Sequence, residues 1–210
     1  KVTAKIKIAG DSNLYLIELF KNLDKISYLP EFVTKEHYED VKKSYMNNEK
    51  RFTDWYIGAI GFLASYNGNF FNGGYAGSAK TKIGTIRNYY DEAKRNLEKQ
   101  TEKLKTINQF LWGDYKTTCG IAINNEVSKA VIYCDPPYKD TTDYVSTTSE
   151  PFKHEEFWEW CRKMSEKNIV LISEHNAPSD FECIWEMPIK RTLDNKSRSG
   201  CIEKLFEYRG

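Results

Sequence analysis

The chain has 210 residues and a formal net charge of +1, which is enough length for one domain with a sizeable core and one smaller insertion. No apolar run approaches the roughly 18 residues that a membrane helix needs, and the first residues lack the apolar segment of a signal peptide, so we expect a soluble, intracellular protein. The nearly neutral charge leaves nucleic-acid and small-molecule partners equally open.

Cysteine and histidine spacing gives no sign of a metal site. The five cysteines are widely spaced without a C-x-x-C pair, so we expect reduced and mostly buried thiols. The three histidines, His37, His154 and His175, also lack the spacing of a helical metal pair. We therefore predict no metal.

The N-terminal part reads as a strand followed by helices. Residues 5–9 alternate polar and apolar side chains as a short strand does, residues 10–13 are a polar turn, and a helical pattern begins at Leu14. A second helix is predicted from Thr34 to Met46 with Thr34 as its N-cap, and a third starts near Thr53.

Asp11 follows the first predicted strand. A carboxylate at that position can accept hydrogen bonds from both ribose hydroxyls of a nucleoside. An aspartate before a helix is also commonly its N-cap, so both interpretations stay open from the spacing alone.

The segment from Ser65 to Lys82 mixes aromatic residues with glycine and asparagine, and a polar, locally basic helix is predicted from Thr85 to Lys105. Such a segment suits DNA, because its rings could wedge into the space left by a flipped base and its cations could neutralise phosphates. The candidates are Phe70, Phe71 and Tyr75 for the rings and Lys80, Lys82 and Arg87 for the cations. The alternative is that the rings are core and the basic helix is a solvated face.

After residue 105, apolar runs alternate with helical patterns. Strands are predicted at 107–112, 131–134 and 169–173, helices near 117–124 and 153–166, and a final hairpin within 184–208. This alternation predicts an α/β fold with a largely parallel central sheet. Asp114 and Tyr115, after the first of these runs, could offer an acceptor to a cofactor adenine and a ring over its face, although a surface turn explains them equally well.

Residues 131–138 read VIYCDPPY, which places an acid, two prolines and an aromatic residue after a buried-type strand. Open α/β folds bind ligands at that end of their strands. Because Pro136 and Pro137 fix their φ angles and lack N–H groups, the carbonyls of Asp135 and Pro136 become rigid acceptors. An ordinary tight turn is the alternative, and the preceding strand favours a catalytic loop.

An aromatic exocyclic amine suits these acceptors, because its lone pair is delocalised until acceptors hold both N–H groups. Asp135 would accept one hydrogen and the Pro136 carbonyl the other. As the amine attacks a sulfonium methyl group, the carboxylate would stabilise the positive charge that develops on nitrogen. Tyr138 would stack on the base, which must first leave the duplex at a cost of about a few kcal/mol.

Together these residues resemble the Dam-like DNA adenine-N6 methyltransferases, in particular their phage and prophage branch, over nearly the whole chain. Residues 9–17 (AGDSNLYLI) look like the acidic cofactor motif, 113–115 like the adenine-contacting motif, and 135–138 like the catalytic tetrapeptide. Residues 70–76 (FFNGGYA) are similar to the start of the target-recognition region, and residues 169–178 match the following strand and loop. Tyr144 sits where the family has an aromatic residue near the cofactor.

The resemblance implies a Rossmann-like class I S-adenosylmethionine-dependent methyltransferase fold. Residues 1–24 and 106–210 would form the catalytic domain, and residues 25–105 a helical and target-recognition insertion. S-adenosylmethionine would be bound by Asp11, Asp114, Tyr115, Asp135 and Tyr144. We expect a monomer that acts on double-stranded DNA in the cytoplasm of a bacterial host, encoded by a phage or prophage.

One family feature is not found in this sequence. The glycine-rich cofactor loop, of the type Phe-x-Gly-x-Gly, precedes the acidic motif in the family, and that pattern does not occur in the 210 residues. Since glycine turns let backbone donors approach the methionine end of the cofactor, we expect the 210-residue chain by itself to bind cofactor weakly or not at all.

The predicted reaction is methyl transfer from S-adenosylmethionine to the N6 amine of a flipped adenine at a specific DNA site. One alternative is a non-catalytic DNA-binding remnant that has lost cofactor binding. Another keeps the chemistry and changes the substrate, since methyltransferases of cytosine amines, RNA bases or protein glutamines use similar tetrapeptides. The aspartate at the first position and the insertion favour adenine in DNA.

Overall fold

A computed structural model describes residues 4–81, 83–123, 129–139, 151–189 and 201–210. The chain forms two compact units, Lys1–Ala122 and Ile123–Gly210, which are the N-terminal and C-terminal units below. Each contains both helices and strands, so the predicted mixture of helices and sheets is confirmed, and one largely parallel central sheet stays a prediction. In the part of the chain that the structure describes, no helix has the length and apolar character to span a bilayer.

The N-terminal unit contains two small sheets. β1 (Ile8–Asp11) and β4 (Gln109–Trp112) pair in parallel, and β2 (Ser78–Lys80) and β3 (Ile86–Asn88) form an antiparallel hairpin. The helices are α1 (Leu14–Lys21), α2 (Lys35–Met46), α3 (Asp54–Leu63), α4 (Tyr89–Leu104) and α5 (Tyr115–Ile123), with short 3-10 helices at Leu23–Tyr28 and Tyr66–Gly68.

Two helices begin directly after a threonine, as the sequence predicts. The Thr34 side chain accepts a hydrogen bond from the His37 N–H at 3.1 Å, and α3 begins directly after Thr53. Both predicted starts are confirmed. A side-chain oxygen at the N-cap replaces a missing helical acceptor and stabilises a helix by about 1 kcal/mol.

The hairpin β2–β3 was not predicted. The segment was expected to be loop and then helix from Thr85, but α4 begins only at Tyr89, after β3. Two local features explain the difference. The Thr81 and Thr85 hydroxyls lie 2.7 Å apart across the turn, and Gly84 has a φ of +87°, a left-handed conformation that glycine adopts without strain.

The core of the N-terminal unit lies between α1, α2, α3 and α4. Its largest fully buried side chains are Tyr38, Tyr90, Ile17, Ile60, Val33 and Val41, and burying a large apolar side chain stabilises the fold by about 1.5–3 kcal/mol. α1 packs closely on α3, because a Cβ at Gly58 would collide with the Tyr15 carbonyl. This packing fixes the helix that directly follows β1 and Asp11.

The C-terminal unit is a four-stranded sheet with a helix on one face. Its strands are β5 (Val131–Cys134), β6 (Ile169–Ser173), β7 (Phe181–Ile189) and β8 (Cys201–Tyr208), in the order β5-β6-β8-β7. β5 and β6 are parallel, and β8 is antiparallel to both of its neighbours. The predicted strands at 131–134 and 169–173 and the final hairpin are confirmed.

α6 (His154–Ser165) covers the sheet of this unit. It buries Phe157, Trp158 and Cys161, and the sheet buries Val170, Ile172, Phe181 and Phe206. The predicted helix at 153–166 matches α6 to within one residue at each end. Since α6 and the long β7–β8 pair hold β6 in place, the carboxyl end of β6 is a fixed platform for the loop that leaves β5.

Candidate active site

The main candidate site of the C-terminal unit is the loop that follows β5. Asp135, Pro136, Pro137 and Tyr138 leave the carboxyl end of the strand in that order. Pro136 is buried, Pro137 and Tyr138 are half-buried, and Asp135 is exposed. Because β5 and β6 are parallel and in register, the residues that end β6 lie beside this loop.

Three successive residues at the end of β6 contact the loop. The hydroxyls of Tyr138 and Ser173 lie in hydrogen-bond contact at 2.9 Å, and the Lys139 N–H donates to Oε1 of Glu174 at 3.1 Å. The ring of His175 meets the ring of Tyr138 edge-on, with centroids 4.5 Å apart. The Tyr138 ring is therefore held at its hydroxyl, at its edge and through the backbone that follows it.

The electrostatic setting of Asp135 includes a second acid. Although Asp135 keeps exposed surface, the protein around its carboxyl removes part of the solvent, which raises the pKa above its ordinary value, and the negative charge of Glu203 on β8 raises it further. Burial also raises the pKa of Tyr138, with Asp135 and Glu203 adding to the rise and the hydrogen bond to Ser173 opposing it. Glu203 is thus a neighbour of the loop that the sequence pattern did not indicate.

The N-terminal unit presents a second group of candidate residues at the carboxyl edge of β1 and β4. The register sets Asp11 opposite Trp112, and the Gly113 N–H donates to the Asp11 carbonyl at 3.1 Å. Burial raises the pKa of the Asp11 carboxyl, and a hydrogen bond of 2.6 Å from the Asn13 N–H partly offsets that rise.

Asn13, and not Asp11, caps α1. Its side chain accepts from the Tyr15 N–H at 2.9 Å and from the Leu16 N–H at 3.2 Å. The N-cap interpretation of Asp11 is therefore wrong, because Asp11 is the last residue of β1 and lies two positions before the cap. Its carboxylate sits where an α/β sheet places ligand contacts.

Asp114 and Tyr115 follow β4 at the same edge. Gly113, with a φ of +152°, turns the chain, and Asp114 accepts a hydrogen bond of 2.7 Å from the Thr117 N–H at the start of α5. That bond is the main reason why the pKa of Asp114 lies below its ordinary value. Asp114 is exposed and Tyr115 half-buried. Trp112 lies at the same edge, and the sequence pattern does not single it out as a site candidate. It is 58% exposed, and its Nε1 donates to the Ser12 carbonyl at 3.1 Å.

The candidate rings of the insertion belong to the core. Phe70 and Phe71 are 8% and 3% exposed, and the Tyr75 hydroxyl donates to the Val33 carbonyl at 2.6 Å. A Cβ at Gly61 would collide with the Phe70 ring, so the absence of a side chain there lets the ring enter the core. Because both rings are buried, neither Phe70 nor Phe71 has an exposed face that could wedge into DNA. Their burial agrees with the core alternative.

The candidate cations lie on the hairpin β2–β3. Lys80 and Arg87 are exposed, and the Arg87 guanidinium pairs with Glu92 at 2.7 Å and lies 4.8 Å from the centroid of the Tyr89 ring. Two exposed isoleucines of the same hairpin, Ile83 at 87% and Ile86 at 79%, were not singled out from the sequence.

Two predicted site residues, Lys82 and Tyr144, lie outside the described residues. Within the described ranges, the His, Cys, Asp and Glu side chains form no group of three or more that could hold a metal ion.

Comparison with known proteins gives one family. The sequence model of the D12 class N6 adenine-specific DNA methyltransferases matches residues 2–192. No match was found among curated proteins. The matched range includes β1 with Asp11, the hairpin β2–β3 and the loop from Asp135 to Tyr138.

Proposed function

This chain belongs to the D12 class N6 adenine-specific DNA methyltransferase family, and from that premise we propose that it transfers a methyl group from S-adenosylmethionine to N6 of an adenine turned out of duplex DNA. The observation that carries the proposal is the rigid loop from Asp135 to Tyr138, held by hydrogen bonds to Ser173 and Glu174. The family match disfavours the non-catalytic remnant, because the family is defined by an enzymatic activity.

In the proposed reaction, Asp135 and the Pro136 carbonyl accept the two N–H groups of the adenine amine. These acceptors are fixed before the base arrives, so their dipoles need no reorganisation as positive charge develops on nitrogen. The half-buried Tyr138 ring, held by Ser173, would stack on the base and offset part of the cost of flipping it. Pro137 keeps the backbone between them stiff.

The edge of β1 and β4 fits the adenosine part of the methyl donor. Asp11 would accept the ribose hydroxyls, Asp114 would accept the adenine amine, and Tyr115 would cover a face of that ring. The donor would supply an activated methyl group and leave as the neutral thioether when its S–CH3 bond breaks, the methylated amine would lose one proton to solvent, and these residues would bind and orient the donor. Asp135 and Tyr144 stay proposed contacts of the donor.

The chain order supports the proposed domain division. β1 and β4 are paired in parallel, so the residues between them are an excursion from one strand to its neighbour. We propose that residues 25–105 form the target-recognition insertion, and that residues 1–24 and 106–210 form a Rossmann-like class I methyltransferase domain. The parallel pairs β1–β4 and β5–β6 support that assignment.

The hairpin β2–β3 is the proposed DNA-contacting part of the insertion. It exposes Lys80 and Arg87 beside Ile83 and Ile86, and cations beside exposed apolar side chains are what a duplex contact with an apolar wedge requires. Lys82 belongs to the same proposal. The buried rings of Phe70 and Phe71 are left out of it.

Lys80→Ala is expected to weaken duplex binding and to reduce the slope of log affinity against log salt by about 1, because one phosphate contact is lost. Arg87→Ala should weaken binding further, since it also leaves Glu92 without its guanidinium partner. Glu92→Gln should strengthen binding by releasing Arg87.

Fluorescence anisotropy over a salt series measures the effects of these three variants. Lys43→Ala, which removes an exposed lysine of α2, is the control. If the salt slope is unchanged in both hairpin variants, Lys80 and Arg87 do not contact phosphates and belong to an ordinary solvent-exposed face.

The pH dependence of turnover should depend on Glu203. Asp135 acts as a carboxylate, so activity is present above its pKa and is lost as the pH falls through it. Glu203→Gln removes a negative charge that raises this pKa, so the acid limb of the kcat profile should move to lower pH. Glu207→Gln, on the same strand and paired with Arg209 at 3.0 Å, should leave the limb unmoved. An acid limb that stays in place in Glu203→Gln would show that Glu203 does not raise the pKa of the group that limits turnover, which would contradict this prediction.

The proposed function is tested by methyl transfer to a mixed-sequence duplex, with the modified bases mapped by sequencing. Label on adenine N6 is the expected result. Label on cytosine, RNA or protein would select the alternative substrates of similar tetrapeptides. Duplex binding with neither methyl transfer nor measurable binding of S-adenosylmethionine in a calorimetric titration would support the remnant alternative instead.

A further inference from the structure

The acid after β6 is unusual in its burial. Glu174 is 3% exposed, and in the described ranges it is the one charged side chain that is buried. Burying a carboxylate costs free energy unless hydrogen bonds compensate for lost hydration, and an apolar residue usually gives a more stable core. The preceding strand residues Val170 and Ile172 are such apolar residues. We therefore expect Glu174 to have a role that an apolar side chain could not perform.

One observed contact of Glu174 is with the proposed catalytic loop. Oε1 of Glu174 accepts the N–H of Lys139, the residue that directly follows Tyr138, at 3.1 Å. The Glu174 backbone is itself fixed, because its N–H donates to the Lys204 carbonyl of β8 at 3.4 Å. The carboxylate thus links the end of the loop to the central strands of the sheet.

We propose that Glu174 is a positioning residue for methyl transfer. By holding the Lys139 N–H, it fixes the backbone on the far side of Tyr138, while β5 fixes the near side before Asp135. The Pro136 carbonyl and the Tyr138 ring are then set in place for the adenine before it arrives. Glu174 touches neither substrate in this account and acts only through the loop. The inference rests on the proposed function.

The two neighbours of Glu174 act on the same target. Ser173 meets the Tyr138 hydroxyl and His175 meets the Tyr138 ring. Three consecutive residues of one segment therefore restrain one tyrosine and the peptide bond after it. Since small displacements of a reacting group have large effects on rate, such restraint is expected to influence the chemical step more than binding.

A pair of conservative variants tests the inference. Glu174→Gln keeps an oxygen acceptor at the same reach and removes the charge, whereas Glu174→Asp keeps the charge and withdraws the acceptor by one methylene. If the hydrogen bond to Lys139 matters, Gln should retain the single-turnover rate to within about threefold, and Asp should lose about 10- to 100-fold. The Kd for duplex DNA should be unchanged in both. Rates are expressed per active site from burst titration, so that a loss of folded protein is not counted as slower chemistry.

A second matched pair separates positioning from stability. Tyr138→Phe and Tyr38→Phe each remove a tyrosine–serine hydroxyl contact of 2.9 Å, the first at the loop and the second in the core of the N-terminal unit. Tyr138→Phe should slow single-turnover transfer and reduce the quenching of 2-aminopurine placed at the target position. Tyr38→Phe should lower the melting temperature and leave the rate per active site unchanged.

The outcomes distinguish the inference from the function on which it rests. If wild type methylates adenine and Glu174→Asp is as fast as wild type, or Glu174→Gln is as slow as predicted for Asp, the hydrogen bond to Lys139 does not position the loop and the inference fails alone. If wild type transfers no methyl group to any duplex, the proposed function fails and the inference fails with it.

Discussion

Replacing Asp135 with alanine is expected to abolish methyl transfer while leaving DNA affinity nearly unchanged. In the proposed mechanism the carboxylate acts on the amine after the base has left the duplex, so it would stabilise the transition state more than the bound complex. Removing a preorganised charge partner costs about 3 kcal/mol or more, which corresponds to a rate loss of at least about 100-fold. Single-turnover methylation and anisotropy binding are the two measurements.

Two further variants make this result specific. Asp135→Asn keeps an acceptor oxygen but no charge, so its rate should fall between those of wild type and Asp135→Ala. Glu166→Ala removes an exposed acid just after α6 and should leave the rate unchanged. An Asp135→Ala protein that retains more than a tenth of the wild-type rate would contradict the catalytic assignment.

The loop proposed to be catalytic could be placed after a strand from the sequence because its residues are contiguous. Asp135 to Tyr138 follow an apolar run, and strand, turn and prolines all appear in one short window. Ser173 and Glu174 could not be assigned in this way. They reach the loop only through the parallel pairing of β5 and β6, and no spacing rule in a single sequence gives that pairing.

Glu203 is another residue that a local sequence pattern could not connect with the loop. It lies near the end of the chain on β8 and influences Asp135 through the strand order β5-β6-β8-β7. The final hairpin itself was predicted, because two apolar strands flanked a polar connection. Its place between β6 and β7 in the sheet depends on tertiary packing that a local pattern does not encode.

The insertion shows why composition alone misjudged the aromatic residues. Phe70 and Phe71 stand among glycines and asparagines, a texture that fits both a DNA wedge and a tightly packed turn. Packing decided between them, since Gly61 on α3 leaves room for the Phe70 ring. Ile83 and Ile86 are exposed apolar side chains of the same insertion, and they lie on a hairpin that the sequence pattern does not predict.

The sequence left two interpretations of Asp11 open, and the structure removes one of them, while the cofactor interpretation stays a proposal. Asn13 satisfies the backbone donors at the start of α1, so capping does not explain the acid at position 11. The fold leaves Asp11 half-buried, and this burial raises the pKa of its carboxyl. A partly buried acid at the carboxyl edge of a parallel strand pair is suited to binding neutral hydroxyl donors.

Asp11→Ala is therefore expected to weaken S-adenosylmethionine binding by about 10- to 100-fold, because hydrogen bonds to a charged acceptor are each worth about 1.5–3 kcal/mol. Asp11→Asn retains an acceptor for the Asn13 N–H and should lose less. Calorimetric titration of the natural protein gives the Kd, and thermal unfolding shows whether each variant is folded. Asp24→Ala, which removes an exposed acid of the first 3-10 helix, is the control.

The effect of Asp11→Ala should appear as a higher KM for the methyl donor with the DNA Kd unchanged, since Asp11 would contact ribose and not the target base. Donor affinity equal to wild type in a folded Asp11→Ala protein would remove Asp11 from the cofactor site and leave Asp114 and Tyr115 as its candidates.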